Sequence, residues 1–522
     1  MIVSALSELP DAVDLLIIGG GISGAGIARE AARGSAKVLL VDAQDFAAGT
    51  SSRSSKLVHG GLRYLKSGDW RLTLESVRER QLLMAQAPGL VAPQSFMMPL
   101  YEGRKPGKLT MKLGLALYDA MACQRSSSFC RLLATNAQIP GLAQQGLLGA
   151  MRYMDAQTDD SRLVLRLLSE ARAAGVMLRN YCKAELLTSA DGRTTGATLT
   201  DADSGEQRRI SAKLVLLATG AWPPAGPRAP KIRPLRGSHL LFPNWRWPLA
   251  QAVSWLHAAD GRPVFAYPWE GATLLGTTDL DHGGEDLWAP QISAVEVDYL
   301  LAAAAQQFPS LDLRACDALS VYAGVRPIVD DGSGADPSAA SRESVMWSAP
   351  GLVGLSGGKL TTFRVQARAV LAEVARQRPE IALAPEAAVF EAVAPSERVP
   401  RRIADRLGPA LPKFLASMPG DEYAAVGATP YWWAELRWAL REEAVRHLDD
   451  LLLRRTRLGL VSGNGAAAHM ARIRVLCMDE LAWDEARWQQ ELQRYQVLWQ
   501  AQHDPLRAGV QSSACAAKRA AA

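Results

Sequence analysis

The chain of 522 residues has no uninterrupted apolar run near the roughly 18–20 residues that a membrane-spanning helix needs. A bilayer span is therefore not expected. Cysteine is scarce: the six present, Cys123, Cys130, Cys182, Cys316, Cys477 and Cys515, never adopt C-x-x-C spacing. No His or Cys set completes a metal site around Cys123 and Cys130. No metal is expected, and the thiols read as reduced, in a cytosolic protein. The opening segment MIVSALSELPDAVD has no basic residue, and the first in the chain is Arg29. That lack argues against a secretory or matrix-targeting peptide. There is no internal repeat. What is abundant is ordinary globular material: 48% of residues are hydrophobic and 21% charged, which argues against wholesale disorder. The length suits about two to four domains. The net charge of +5 is mild and by itself points to no nucleic acid.

The most informative segment is DLLIIGGGISGAGIAREAARGSAKVLLVD, Asp14 to Asp42. Leu15–Ile18 are consecutive apolar residues, as a parallel strand buried on both faces requires. Gly19, Gly21 and Gly24 then supply G-x-G-x-x-G. The first allows a tight turn, the second lets a pyrophosphate approach the backbone, and the third lets the next helix pack on the strand. Ala25, Ile27, Ala28, Ala31 and Ala32 continue as that helix, whose N-terminal N–H groups attract a diphosphate. Lys37–Val41 is a second strand, and Asp42 closes it as an acceptor for ribose hydroxyls. An adenine dinucleotide is expected here.

Further along, residues 48–65 form a polar Ser- and Gly-rich loop, and helices are expected over 69–86 and 161–174. Short strands are expected at 176–178, 196–199 and 207–210. Asp191-Gly192 and Ser204-Gly205 are turns. Residues 213–222 read as a separate buried strand that stops at a glycine. Residues 239–329 read as a largely antiparallel sheet, and 352–355 as a last strand. Gly357-Gly358-Lys359 follows, then a helix over 360–377. Residues 379–400 read as a linker, the region beyond as helical, and 511–522 as a disordered tail.

The location of charge says more than its sum. Between Tyr101 and Arg131 stand Arg104, Lys105, Lys108, Lys112, Arg125 and Arg131, opposed only by Glu102 and Asp119. On a helix, Lys105, Lys108 and Lys112 fall at i, i+3 and i+7 and make a basic stripe flanked by apolar residues. Two readings stay open. Such a helix lies on an anionic membrane surface, or it is a domain helix with a solvated lysine face.

The motifs GGGISGAGIA, TSSRSSKLVHGGLRYL, LLATGAW, RGSHLL, LLGTTDLD, YAGVRPIVDD and LSGGKLTTFR occur in this order. Together they closely resemble the FAD-dependent glycerol-3-phosphate dehydrogenases, the respiratory kind that passes electrons to quinone. The similarity is strong over about residues 12–375 and looser in EEAVRHLDDLLLRRTRLGL. It implies an α/β fold with α+β elements. A Rossmann-type FAD-binding domain (12–378) is interleaved with an antiparallel-sheet substrate domain (roughly 66–150 and 235–330). A C-terminal helical cap (401–510) follows. It also implies oxidation of sn-glycerol 3-phosphate to dihydroxyacetone phosphate, with ubiquinone or another membrane quinone reoxidising the flavin. Peripheral attachment to the inner face of the cytoplasmic membrane follows, which favours the membrane reading of the basic stripe. Dimers are common in the family.

Oxidising a secondary alcohol needs a base for the hydroxyl proton, an acceptor for the hydride and a grip on the substrate. FAD is the acceptor. Its expected contacts are Gly19, Gly21, Gly24, Asp42, the hydroxyls of Thr50, Ser51 and Ser52, and Gly220. By resemblance Lys56 and the run His59, Gly60, Gly61 and Leu62 lie near the isoalloxazine. Gly358, Lys359, Leu360 and Thr361 open a helix whose positive end suits an anionic reduced ring. A phosphate monoester calls for arginine, whose fork binds oxygens in pairs. Arg326, its backbone extended by Pro327, is the first choice, and Arg63 beside Tyr64 the second. Lys359 adds a charge near the ring or the phosphate. Thr277, Thr278 and Asp279 are expected on the substrate side, though Asp279 as a turn cap is an alternative. Among the seven histidines, His239 is the expected base and His59 the runner-up. Asp42 is one methylene shorter than the glutamate usual in the family. Two rival functions remain. One is a flavin amine or amino-acid oxidase using oxygen, which predicts no phosphate clamp. The other is an FAD-containing nucleic-acid-modifying protein, which predicts basic charge around the flavin cleft.

Overall fold

The apolar run Leu15–Ile18 forms the heart of strand Ala12–Ile18, with Leu15, Leu16 and Ile17 fully buried. In this computed structural model, which describes residues 5–62, 69–223, 226, 228–283, 286–330, 332 and 343–508, that strand lies inside the first of two sheets. Its parallel neighbours are Val38–Val41 and Gln207–Leu217. Met177–Arg179 and Leu352–Gly357 extend the parallel set, and Ser344–Ala349 closes one edge antiparallel. Helices Ile22–Ala31, Asp160–Ala173 and Phe363–Gln377 share one apolar core on a face of this sheet. Asp159 starts the second of these helices, accepting the Arg162 N–H. The other face is covered by the hairpin strands Cys182–Thr188 and Thr194–Asp201.

The second sheet has ten strands and is antiparallel except where Ala252–Leu256 runs parallel to Val91–Tyr101. Its long strand Ile232–Pro243 lies between Ala272–Gly276 and Ser320–Val329. Helix Ala294–Gln307 covers one face. The C-terminal helices cover the other, where Tyr431, Trp433, Tyr495 and Trp499 meet Phe96, Tyr267 and Tyr322. The loop after Val38–Val41 crosses from the first sheet to the second, where Leu57–Val58 pairs with Leu147–Thr158. Residues 42–62 therefore sit at the junction of the two sheets.

Two expectations, on residues 207–222 and on Lys105, are corrected, and those on 360–377 and 379–400 gain detail. Residues 207–210 and 213–222 are not separate strands. One strand, Gln207–Leu217, pairs antiparallel with Thr194–Asp201 in its first half and parallel with Ala12–Ile18 in its second. Leu360–Thr362 is a turn of 3-10 helix, and the α-helix starts at Phe363. Residues 379–400 carry no helix or strand, yet Val389 and Phe390 are buried in the first core and donate their N–H groups to Gln86 Oε1. Lys105 is not on a helix. The residue before a proline disfavours the α conformation, and Gly107 caps a helix that begins only at Lys108 and ends at Met121. Lys108 and Lys112 remain on it. Arg63, Tyr64 and the tail 511–522 lie outside the described residues. Five cysteines are free, and no group suited to a metal ion occurs among the described residues. No helix among them is long and apolar enough to cross a membrane.

Candidate active site

The glycine turn is built for close approach. A Cβ on Gly24 would collide with the Gly19 carbonyl, and one on Gly19, at φ +114°, with the Ala218 carbonyl. The first helix can therefore lie against the strand with its N-terminus open toward the loop. Asp42 folds back on this turn: its carboxylate accepts the N–H of Gly20 at 2.6 Å and of Gln44 at 2.9 Å. Burial pushes this carboxyl up to about 7. Each oxygen keeps a second lone pair for a ribose hydroxyl.

The Thr50-Ser51-Ser52 hydroxyls are turned to protein partners. Thr50 Oγ1 donates to the Val325 carbonyl, Ser51 Oγ accepts the Ile22 N–H at 2.9 Å, and Ser52 Oγ faces the Gly49 carbonyl at 3.4 Å. Ser51 thus ties the loop to the first turn of the nucleotide helix. Lys56, expected by the isoalloxazine, is fully buried. Its ammonium lies 2.9 Å from both Asp160 oxygens, donates to the Ser52 carbonyl, and stands over the Tyr322 ring. Burial, reinforced by Arg457, lowers it to about 8 against the pull of Asp160.

Gly60 donates its N–H to Asp155 Oδ1 at 3.0 Å, and a Cβ there would strike Tyr118 and Val77. Gly61 has φ +78°, and Leu62 packs at the edge of the second core. The His59 carbonyl accepts the Thr361 hydroxyl at 3.3 Å, joining the loop to the start of the last helix of the nucleotide unit. Gly358, at φ +96°, packs on Gln366, and Leu360 sits on the first core. Lys359 lies close enough to Glu75 to oppose the upward push of burial on that carboxyl. Gly220, at φ +61°, has open space where a Cβ would be.

The second sheet brings His239 and Arg326 onto adjacent strands: His239 pairs with Tyr322 and Leu235 with Arg326. The Arg326 guanidinium meets Asp279 Oδ1 at 2.8 Å, Thr277 Oγ1 at 3.2 Å and the Thr278 carbonyl at 3.3 Å. It also lies across Gly237, where a Cβ would displace it. Asp279 is therefore an arginine holder, the role neither expectation assigned. Thr278 is corrected. Its hydroxyl accepts the Ser238 N–H and donates to Glu296 on the opposite face of the sheet. The two threonines lie in the short connection between strands Ala272–Gly276 and Leu280–Asp281, where Thr277 Oγ1 meets the arginine and the Thr278 hydroxyl turns to Glu296. Glu296 also takes Arg236 and Ser238. Burial pushes Glu296 up, but donors from Ser293, Thr278 and Ser238 and the Arg236 charge outweigh it.

His239 is 1% exposed and stacks on Tyr322. Burial, then the charges of Arg326 and Lys56, hold the imidazole well below its usual range, so it stays neutral. A neutral imidazole is able to accept a proton, and a guanidinium to bind an anion. Sequence reasoning missed Ser55, Asp160, Tyr267 and Tyr322. The only early signal was the serine-rich context of Ser55. It also missed Arg454, Arg455 and Arg457, which reach in from the C-terminal helices to Asp45, Asp159, Asp160 and the Ser52 carbonyl.

Residues 14–364 match the family model "FAD dependent oxidoreductase", and 363–488 match "C-terminal domain of alpha-glycerophosphate oxidase". The aerobic glycerol-3-phosphate dehydrogenase of Bacillus subtilis (strain 168) is 37% identical over 368 residues, covering 69% of this chain and 66% of that protein. That of Staphylococcus aureus (strain MRSA252) is 37% identical over 378 residues, 70% of this chain and 68% of the relative. The crystal structure of the Bacillus halodurans glycerol-3-phosphate dehydrogenase complexed with FAD superposes with a TM-score of 0.73 at 26% identity, covering 95% of this chain and 96% of that one. The glycine turn, with no room for side chains at Gly19 and Gly24 and an acid folded over it, fits the dinucleotide that the family carries. The chain belongs to the FAD-dependent oxidoreductases and, within them, to the family of the aerobic glycerol-3-phosphate dehydrogenases.

Proposed function

We propose that the protein oxidises sn-glycerol 3-phosphate to dihydroxyacetone phosphate. FAD, held by the Gly19–Gly24 turn, Asp42, the loop 50–62 and the 358–361 turn, supplies the hydride acceptor. Arg326 binds the phosphate, joined by Arg63 and Lys359, and His239 takes the hydroxyl proton. The observation that carries the reading is the Arg326 guanidinium. It is half-buried and aimed by Asp279 and Thr277, and its charge reaches a neutral, buried histidine. The fork would also take the carboxylate of an amino acid, so the choice of substrate in the test separates the two readings. The test is anaerobic mixing of the yellow holoenzyme with glycerol 3-phosphate. Loss of flavin absorbance supports the reading; an unchanged spectrum overturns it.

The electrons pass to a membrane quinone, and the protein attaches to the inner face of the cytoplasmic membrane. Helix Lys108–Met121 and the short helix Leu132–Gln138, which follows strand Ser128–Arg131, support this. Leu109, Leu113 and Leu133 are 69%, 64% and 86% exposed, an unusual concentration of bare leucine. Lys112, Arg104, Lys105 and Arg131 stand among them, all exposed. The nearby acid Asp119 is buried, its carboxylate accepting the N–H and hydroxyl groups of Ser126 and Ser127. Bare leucines rimmed by lysine and arginine suit the headgroup plane of an anionic bilayer.

A further inference from the structure

The imidazole of His239 is shut in on several sides. One face stacks on Tyr322, centroids 4.6 Å apart and planes 13° from parallel. Along its edge, Gly276 approaches so closely that a Cβ would collide with Cδ2 and Nε2. Nδ1 is buried and has no hydrogen-bond partner among the described residues. Nε2 has one: Ser55 Oγ, at 3.0 Å. Ser55 is only half-buried, whereas His239 is buried. Of the two, the serine is nearer to whatever occupies the cleft.

The backbone around Ser55 is fixed by a dense set of bonds. The Tyr322 hydroxyl donates to the Ser54 carbonyl at 2.9 Å, and the Tyr267 hydroxyl to the Ser55 carbonyl. The N–H and hydroxyl of Ser54 donate to Asp160 Oδ2 at 2.9 and 2.7 Å. The Lys56 ammonium holds the same carboxylate from the other side. None of these bonds uses the Ser55 hydroxyl, whose partner is His239. A side chain locked this way is in position before any substrate arrives.

We propose that Ser55 is the proton relay of His239. The alcohol substrate gives its hydroxyl proton to Ser55 Oγ as Ser55 passes its own proton to His239 Nε2. One O–H bond breaks on the alcohol and one forms on Ser55. One O–H bond breaks on Ser55 and one N–H bond forms on the imidazole, which becomes imidazolium. The hydrogen and electron pair of the carbinol C–H are those the flavin accepts. This inference rests on the function proposed above. Burial, with the Arg326 and Lys56 charges, keeps the ring neutral at rest and drives the proton out again after turnover.

The experiment is anaerobic stopped-flow reduction of the flavin by glycerol 3-phosphate in wild type, Ser55→Ala, Ser55→Thr, His239→Gln and the Ser55→Ala/His239→Gln double variant. Rates are read per flavin-containing molecule, so a loss of folded protein does not count. Ser55→Ala is expected to slow reduction by about 10²-fold or more, the ordinary scale of a lost proton-transfer group. The substrate concentration at half-maximal rate should stay within about threefold. Ser55→Thr, which keeps a hydroxyl, should recover most of the rate. The double variant should be no slower than His239→Gln, because one proton path is lost once. A Ser55→Ala rate equal to wild type overturns the relay alone, as does a Ser55→Thr rate as slow as Ser55→Ala. A wild-type flavin untouched by glycerol 3-phosphate overturns the proposed function and the relay with it.

Discussion

Asp279 Oδ1 lies 2.8 Å from Arg326 Nη1, and the guanidinium it steadies rests on the bare backbone of Gly237. Aim and space are thus supplied by different residues and can be removed separately. Arg326→Ala should raise KM for glycerol 3-phosphate by an order of magnitude or more, about 1.4 kcal/mol for each tenfold. Asp279→Asn should raise it less, because Thr277 and the Thr278 carbonyl remain. Gly237→Ala should mimic Arg326→Ala by displacing the fork while the flavin stays bound. Steady-state kinetics of the three variants check this; an unchanged KM in Gly237→Ala would contradict the placement of the arginine.

Asp45 is one of the acids that tie the C-terminal helices to the nucleotide unit. Asp45 is fully buried and accepts Arg454 and both terminal nitrogens of Arg455, which a single turn of π-helix, Leu451–Arg455, turns inward together. Such a network adds little over an apolar core, but removing one partner strands buried charge. Asp45→Ala should destabilise the protein by about 3–5 kcal/mol, seen as a lower urea midpoint and Tm. A melting curve indistinguishable from wild type would show that the seam does not hold the two units together.

His503 should govern part of the acid limb of stability. Its Nδ1 lies 2.9 Å from the Val321 carbonyl, an acceptor only, so Nδ1 carries the proton and donates. Burial, with Arg53 nearby, holds the ring down to about 3. In the unfolded chain it takes up a proton below about 6.5. Between those values the unfolded state binds more protons, so stability is lost as pH falls, by up to about 1.4 kcal/mol per unit. His503→Gln keeps a donor and cannot titrate. The fall of Tm from pH about 6.5 to 4 should become shallower in that variant, with the buried His239 still contributing in the same sense. An identical slope in both proteins would exclude His503.

Membrane attachment separates into charge and contact. Lys108 already stands over the Phe129 ring, 3.6 Å from its centroid, while Lys112 is exposed. Lys112→Glu should therefore weaken sedimentation with anionic vesicles more than Lys108→Glu does. Leu109→Ser with Leu113→Ser should release the protein from neutral and anionic vesicles alike, because those leucines supply buried area rather than charge. Full retention of the double leucine variant on vesicles would place the membrane face elsewhere.

Much of the fold is local and so is legible. Strand, glycine turn, helix, strand and acid at residues 14–42 follow from apolar runs, turn residues and their spacing, and the structure forms each of them there, with the first strand starting three residues earlier, at Ala12. The error at 207–217 has a physical cause. A strand can change partners along its length, and nothing in the alternation of its residues records where one neighbour ends and the next begins. Lys105 failed as a helical residue because a stripe at helical spacing ignores the proline that follows it. Thr278 and Thr277 could not be told apart because both lie in an irregular connection between two strands, where no periodicity fixes which hydroxyl meets the arginine.

The sequence by itself determined the dinucleotide unit, the presence of His239 and Arg326 in their motifs, and a basic, leucine-bearing segment near residue 110. These rest on interactions between near neighbours. Tertiary structure decided who holds whom. Ser55 reaches His239 across 184 positions, and Arg455 reaches Asp45 across 410. Such partners are chosen by the packing of two sheets and a helical cover, where a buried polar group must find a mate wherever the chain has brought one.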